Sequence, residues 1–250
     1  MRTVVLGSSG LMGSRIVGAL QRSGVEVVEA SKSTGVDAIT GEGLSQALAF
    51  ADTLIDVTNF GSFGGNDALQ SFKQAGSNLL TAARDAEIQH YIVLSVVGAD
   101  QLVENDYFRA KLVQENLVRS SGVPYTIVRS TQFFETLGGI VDASEVDGAL
   151  ALPVVDLQPI AADEAAAIIA RVGQQKAKYR TVDLGGPEAS QLCDLARELL
   201  SAHQDNRAIV SSPTALYFGV ALRGNALLPA RPFASGTETF HDWLSRGLQT

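Results

Sequence analysis

The first half of the chain alternates short, wholly apolar runs with longer stretches whose apolar residues recur at helical spacing. Residues 3–6 form the first such run and end at Gly7. Residues 11–22 place Ile16, Val17 and Leu20 on one stripe, the spacing of a helix face, and Gly24 stops them. The same rhythm predicts strands over 25–30, 36–39, 53–57, 91–94 and 125–128, and helices over 43–50, 67–86 and 105–121. Strands alternating with helices make an α/β fold, a doubly wound parallel sheet covered on both faces.

After residue 130 the rhythm loosens. The pattern predicts a strand at 150–152, a helix over 163–172 with Asp163 as its N-cap, a strand over 179–184 and a helix over 190–202. Residues 207–250 read as a strand, a helix and a final amphipathic helix over 237–244. One domain is expected. Residues 1–130 form its core, and residues 131–250 complete the sheet and build a small C-terminal α/β substrate lobe.

Composition narrows the function. The 250 residues are 46% hydrophobic and 18% charged, with a net charge of -8. No basic run is present, which argues against a nucleic-acid partner. The apolar stretch 216–228 is broken by Arg223 and Asn225 and is too short to span a bilayer. A single cysteine, Cys193, excludes an internal disulfide and fits a cytoplasmic protein. Either a monomer or a homodimer is compatible with the sequence.

The strongest motif is Gly7-Ser8-Ser9-Gly10-Leu11-Met12-Gly13, set between the first strand and the first helix. Gly7 permits the tight turn, Gly10 lets the backbone approach a pyrophosphate, and Gly13 lets the helix pack close to the strand. The helix start offers N–H groups, from about Leu11 and Met12, to an anion. A dinucleotide is therefore expected here, with Ser9 beside it. NAD-binding chains usually end the second strand on a carboxylate that takes the ribose hydroxyl. This strand runs instead into Ser31-Lys32-Ser33, a cation between two hydroxyls that suits a 2′-phosphate, so NADP(H) is favoured over NAD(H). Glu29 is the competing carboxylate, and Lys32 also reads as a solvated turn lysine.

Tyr107 and Lys111 form Y-x-x-x-K, one turn apart on a helix face. The lysine can hold a nicotinamide ribose and favour the tyrosine's ionised form, and the tyrosine can give a proton to a carbonyl. Ser95, at the end of the preceding strand, can hold the same carbonyl oxygen. The pattern is short, and a structural reading stands beside the catalytic one. An N-cap at Asn105 or Asp106 would leave Tyr107 in the first helical turn.

Together these features resemble the NmrA-like group of atypical short-chain dehydrogenases/reductases. The likeness runs through Asp56-Val57-Thr58-Asn59, Leu94-Ser95-Val96-Val97-Gly98 and the segment from Pro124 to Glu135. It continues through Leu157-Gln158-Pro159-Ile160-Ala161 and the ending Thr239 to Leu244. The resemblance implies a Rossmann fold that binds NADP. It implies that Thr58 and Asn59 lie along the adenosine ribose, and that Ser95 and Lys111 lie near the nicotinamide. Thr131, Gln132 and Phe133 would border the nicotinamide and the substrate, with Gln132 and Phe133 on the substrate side.

The remaining candidates have structural readings. His90, His203 and His241 lack partners at ligand spacing, so no metal is expected. Phe133-Phe134 and Trp243 read as core, with ring stacking the alternative for the pair. The function expected is reduction of a small organic carbonyl, quinone or enone with NADPH. A nucleotide-binding redox sensor without turnover and a sugar-nucleotide epimerase or dehydratase are the alternatives.

Overall fold

The computed structural model describes residues 1–60, 68–222 and 225–247. The glycine-rich loop of residues 61–65 and Arg223 lie outside the described residues. The chain opens with β1 (Arg2–Leu6), α1 (Leu11–Arg22), β2 (Glu26–Ala30), α2 (Leu44–Leu48) and β3 (Thr53–Asp56). Then come α3 (Ala68–Asp85), β4 (His90–Val96), α4 (Asp106–Ser120) and β5 (Tyr125–Ser130). The second half holds α5 (Leu137–Asp142), β6 (Glu145–Val146), β7 (Ala149–Pro153), β8 (Asp156–Leu157), α6 (Ala162–Gly173) and β9 (Arg180–Gly185). It ends with β10 (Ser190–Gln191), α7 (Leu192–Ala202), β11 (Ala208–Ser212), β12 (Pro232–Ser235) and α8 (Phe240–Gly247).

The main sheet runs β12-β9-β5-β4-β3-β1-β2, and its paired strands are parallel. From β1 the chain first winds outward to β2, then returns to β3 and winds the other way. Strand order therefore reverses between β1 and β3, and a crevice opens at their carboxyl ends. This is the doubly wound Rossmann arrangement. On one face α2, α3 and α4 cover Leu54, Tyr91, Val93 and Ile127. On the other, α1 and α6 cover Val5, Ile55, Ile92 and Val128. A separate core of Phe134, Leu150, Leu192, Leu199 and Phe240 builds the lobe with β6, β7, β11, α5, α7 and α8. Among the described residues no helix is long and apolar enough to cross a membrane.

Four local expectations are corrected. Residues 36–39 are not a strand. Val36 and Ala38 are buried alternately, as in a strand, but the Asp37 carboxylate accepts the Ile39 amide and the Asp37 amide bonds Glu42, which turns the backbone. Asp163 is not the N-cap of α6; Ala161 is. Asp163 lies in the first turn facing Arg15, and the orphan Ala162 amide is taken by Glu135 from outside the helix. The helix expected between β11 and the C-terminal helix is absent among the described residues, and β12 adds an edge strand to the sheet instead. The last helix begins at Phe240, because Thr239 accepts the Asp242 amide and acts as its cap.

Two buried polar groups fix the layers to one another. His90 sits at the start of β4 with Nδ1 2.9 Å from the Gln175 carbonyl and Nε2 2.8 Å from the Thr126 hydroxyl. Glu115 on α4 is fully buried and accepts from Arg129 of β5 at 2.8 and 2.9 Å, from Arg119 and from Ser95. Burial, with the Lys178 charge adding to it, outweighs the Gln175 carbonyl and lowers the His90 pKa to about 4. The unfolded histidine takes a proton near pH 6.5, so between about 6.5 and 4 the unfolded state binds a proton that the folded state refuses. Stability falls as pH drops through that window, by on the order of 3 kcal/mol. Urea melts should show this loss in the wild type and not in His90→Gln. Glu115→Gln leaves Arg129 without its buried counter-charge. It should cost about 3 kcal/mol at neutral pH, read from the same melts.

Candidate active site

The turn after β1 is built for a close approach. Gly7 has φ +85°, a backbone conformation that L side chains rarely adopt, and its amide donates to the Ala30 carbonyl at 2.8 Å. A side chain at Gly13 would overlap the Gly7 carbonyl oxygen, so only glycine lets α1 start against the turn. The helix start has Gly10 as its N-cap, no side-chain cap and no acidic residue in its first turn. Its orphan N–H groups suit an anion supplied from outside the chain. This bare cradle fits the pyrophosphate of a dinucleotide.

One cleft of about 810 Å³ runs along the carboxyl edge of the sheet. Its lining follows the strand order. Ser31 and Lys32 come after β2, and Gly7, Ser9, Gly10, Leu11, Met12 and Gly13 after β1. Thr58 and Asn59 follow β3, Ser95 closes β4, Tyr107 and Lys111 come from α4, and Thr131, Gln132 and Phe133 follow β5. Of the residues singled out in the sequence, Ser33 does not line this cleft. The competing carboxylate Glu29 does not line it either.

At the β2 end, residues 32–34 form a single 3₁₀ turn capped by Ser31, whose amide donates to the Thr34 hydroxyl at 2.9 Å. The Ser31 and Ser33 hydroxyls pair with each other at 2.8 Å. The exposed Lys32 ammonium lies 3.1 Å from the Asp37 carboxylate. Burial works to raise the Asp37 pKa, but the Ile39 amide and Lys32 together hold it below the ordinary value.

Behind the wall of the cleft, at the end of β3, lies the buried carboxylate of Asp56. One oxygen accepts the Thr58 amide at 2.9 Å and the Thr58 hydroxyl at 2.6 Å; the other accepts from the Tyr91 hydroxyl at 2.8 Å and the Gln114 amide at 3.0 Å. Gln114 in turn accepts from Lys111 Nζ at 2.9 Å, and this ammonium lies 4.8 Å from the centroid of the Phe72 ring. Burial brings the Lys111 pKa down to about 8, while Asp56 and Glu115 oppose the fall. Tyr91, buried beside Asp56, is pushed well above the ordinary tyrosine value.

At the far end, Asn105 caps α4 by accepting the Tyr107 amide at 2.9 Å. Tyr107 therefore sits in the first turn, one turn ahead of Lys111. Its ring is buried edge-on against Phe108 and Phe72. Burial raises its pKa to about 12, against a hydrogen bond with the Asn59 side chain. The Ser95 hydroxyl donates to Glu115 at 2.6 Å, so its proton points at α4. The Thr131 hydroxyl donates to the Gln158 carbonyl at 2.7 Å, fixing the strand end to the lobe.

Sequence reasoning missed Gln114, Asp37 and Tyr217. Gln114 is three residues beyond Lys111, a spacing that puts it on the same helix side. Tyr217 lines the cleft, and its hydroxyl accepts from Gln132 Nε2 at 3.3 Å across 85 residues of sequence. No local pattern announces it.

Comparisons with known proteins find relatives in sequence and in fold. The chain is 27% identical over 222 residues to the (4-alkanoyl-5-oxo-2,5-dihydrofuran-3-yl)methyl phosphate reductase of Streptomyces griseus, covering 78% of this chain and 73% of that protein. It is 25% identical over 174 residues to the photosystem II assembly factor Ycf39 of Cyanophora paradoxa, covering 64% of this chain; the chain spans about half of that relative, 51%. A crystal structure of an NADPH-dependent quinone oxidoreductase from Escherichia coli superposes with a TM-score of 0.68 at 16% identity, covering 98% of this chain and 99% of that one. The triphenylmethane reductase of Citrobacter sp., solved with NADP(H), gives 0.60 at 18% identity, covering 86% and 79%. At these identities the structural likeness is one of fold. A model of the NmrA-like family matches residues 3–190, and the chain belongs to that family.

Proposed function

We propose that this chain is an NADP(H)-dependent oxidoreductase that reduces a small organic carbonyl, quinone or enone. The observation that carries the reading is continuity: a single cleft joins the uncapped helix start after Gly7 to the buried Tyr107 and Lys111. The reductase activities named for the Streptomyces griseus relative and for the Escherichia coli and Citrobacter structures support it.

In this reading the first turn of α1 holds the pyrophosphate and Thr58 borders the adenosine ribose, while Asn59, expected there with it, reaches Tyr107 instead. Lys111 holds the nicotinamide ribose. When bound, the reduced nicotinamide supplies a hydride. The chain supplies position, dryness and a proton. Tyr107, whose pKa of about 12 keeps it protonated at neutral pH, gives its proton to the substrate oxygen. The hydrogen bond from Asn59 favours the phenolate left behind. Gln114 and Asp56 hold Lys111 at its post. Phe108, Phe133 and Ile140 wall the chamber and keep water out. Ser95, whose hydroxyl donates to Glu115, serves as part of the wall; Tyr107 is the donor to substrate. A second reading, a nucleotide-binding regulator without turnover, draws support from that same engagement of Ser95.

NADPH consumption, followed by absorbance with a panel of quinones and aldehydes, should fall at least about a hundredfold in Tyr107→Phe, the usual scale of general acid catalysis. Full activity in that variant would remove Tyr107 from the mechanism. Tight nucleotide binding with no consumption on the whole panel would favour the regulator. For the 2′-phosphate, Lys32→Ala should weaken NADPH about tenfold or more and leave NADH nearly unchanged, measured by calorimetry. Equal losses for both nucleotides would exclude that role.

A further inference from the structure

The far wall of the cleft holds a polar pair that spends only part of its hydrogen-bonding capacity. Gln132 and Tyr217 are both at least nine-tenths buried and both line the cleft. Gln132 Nε2 donates to the Tyr217 oxygen at 3.3 Å, while Gln132 Oε1 has no partner among the described residues. This bond uses a lone pair of the phenol and leaves its O–H to donate elsewhere. The pair thus keeps at least one unspent donor and one unspent acceptor side by side. Turning the amide over exchanges their roles and keeps both kinds of group on offer: the phenol would donate to Oε1, leaving the amide N–H groups to donate and the phenol oxygen to accept. Leaving such groups unpaired in a buried site is costly, and a ligand that completes them recovers the loss.

The pair is held in place. Tyr217 and Val220 exchange backbone hydrogen bonds at 2.9 and 3.0 Å, closing a two-residue hairpin. Phe218 and Gly219 at its tip have φ +47° and +83°, the left-handed pair that such a tight turn demands. Asn105 Nδ2 donates to the Phe218 carbonyl at 3.0 Å, tying the hairpin to the start of α4 just before Tyr107. Phe108, Phe133 and Ile140 line the same chamber, and the Phe108 ring lies 6.5 Å from that of Tyr217.

We infer that Gln132 and Tyr217 form the substrate-recognition subsite, taking an aromatic or conjugated carbonyl compound that bears a hydrogen-bond donor next to its carbonyl, as a carboxamide does. The carbonyl accepts from one member of the pair and the neighbouring N–H donates to the other. The flat remainder lies between the aromatic and aliphatic walls. This inference rests on the reading of the chamber as a substrate site. Its test reads binding, which needs no turnover.

Calorimetry on the full chain, with and without saturating NADP⁺, would compare three probes: cinnamamide, N,N-dimethylcinnamamide and methyl cinnamate. The last two keep the conjugated carbonyl and lack the N–H. The wild type should bind cinnamamide about tenfold more tightly than either analogue, the worth of one satisfied buried hydrogen bond. Gln132→Met, of similar length, should abolish the preference for cinnamamide over the ester. Tyr217→Phe should weaken cinnamamide about tenfold while keeping the ring packing. Absence of cinnamamide binding, equal binding of amide and ester by the wild type, or an unchanged preference in Gln132→Met would each overturn the assignment. A chain that selects the amide yet never consumes NADPH keeps the subsite and loses the reductase reading. One that consumes NADPH with quinones and ignores the amide loses the subsite alone.

Discussion

The arrangement of the cleft depends on the carboxylate of Asp56. A buried charge is tolerated only when its hydrogen-bonding capacity is filled, and Asp56 fills it with four donors from three parts of the chain. Thr58 comes from the loop that follows β3, Tyr91 from β4 and Gln114 from α4. The carboxylate therefore fixes the loop beside the cradle, the centre of the sheet and the helix bearing Tyr107 and Lys111 in one geometry. Its effect reaches Lys111 through Gln114 and reaches Tyr107 through Asn59, the neighbour of Thr58.

Helix α4 carries this organisation on several sides. Its start holds Asn105 and Tyr107, its middle Lys111 and Gln114, and its inner side Glu115, which binds Arg129 of β5 and Ser95 of β4. The helix is anchored to the sheet by ionic hydrogen bonds as well as by apolar contact. Such contacts are directional, so they hold the rotation of the helix, and with it the direction in which Tyr107 points.

Legibility in the sequence followed the range of the interactions. The glycine turn could be read because its geometry is local: Gly7 and Gly13 answer to each other across six residues. The Tyr107–Lys111 pair could be read because one helical period spans it. Residues 36–39 misled because the burial of Val36 and Ala38 alternates as in a strand, while the turn is set by the Asp37 side chain and is invisible to hydropathy. β12 was missed because its pairing with β9, Pro232 to Asp183, joins distant segments. Ser95 was placed at its strand end from the pattern alone, but the claim of Glu115 on its proton comes from the far side of a helix turn and appears only in three dimensions. Tyr217 depends on a contact across 85 residues, and nothing near it in sequence marks it.

The joint at Asn105 has a consequence for how such a chain can change. Its side chain grips the amide of Tyr107 and the carbonyl of Phe218, both main-chain atoms. The join is thus indifferent to which side chains the hairpin displays. A hairpin of the same length and turn type, carrying another residue in place of Tyr217, could dock on the same cap and present a different wall to the chamber. The half of the molecule that carries the glycine turn would not register the exchange. The hairpin is in that sense an interchangeable insert, and grafting hairpins at this joint offers a route to a reshaped chamber that leaves the sheet untouched.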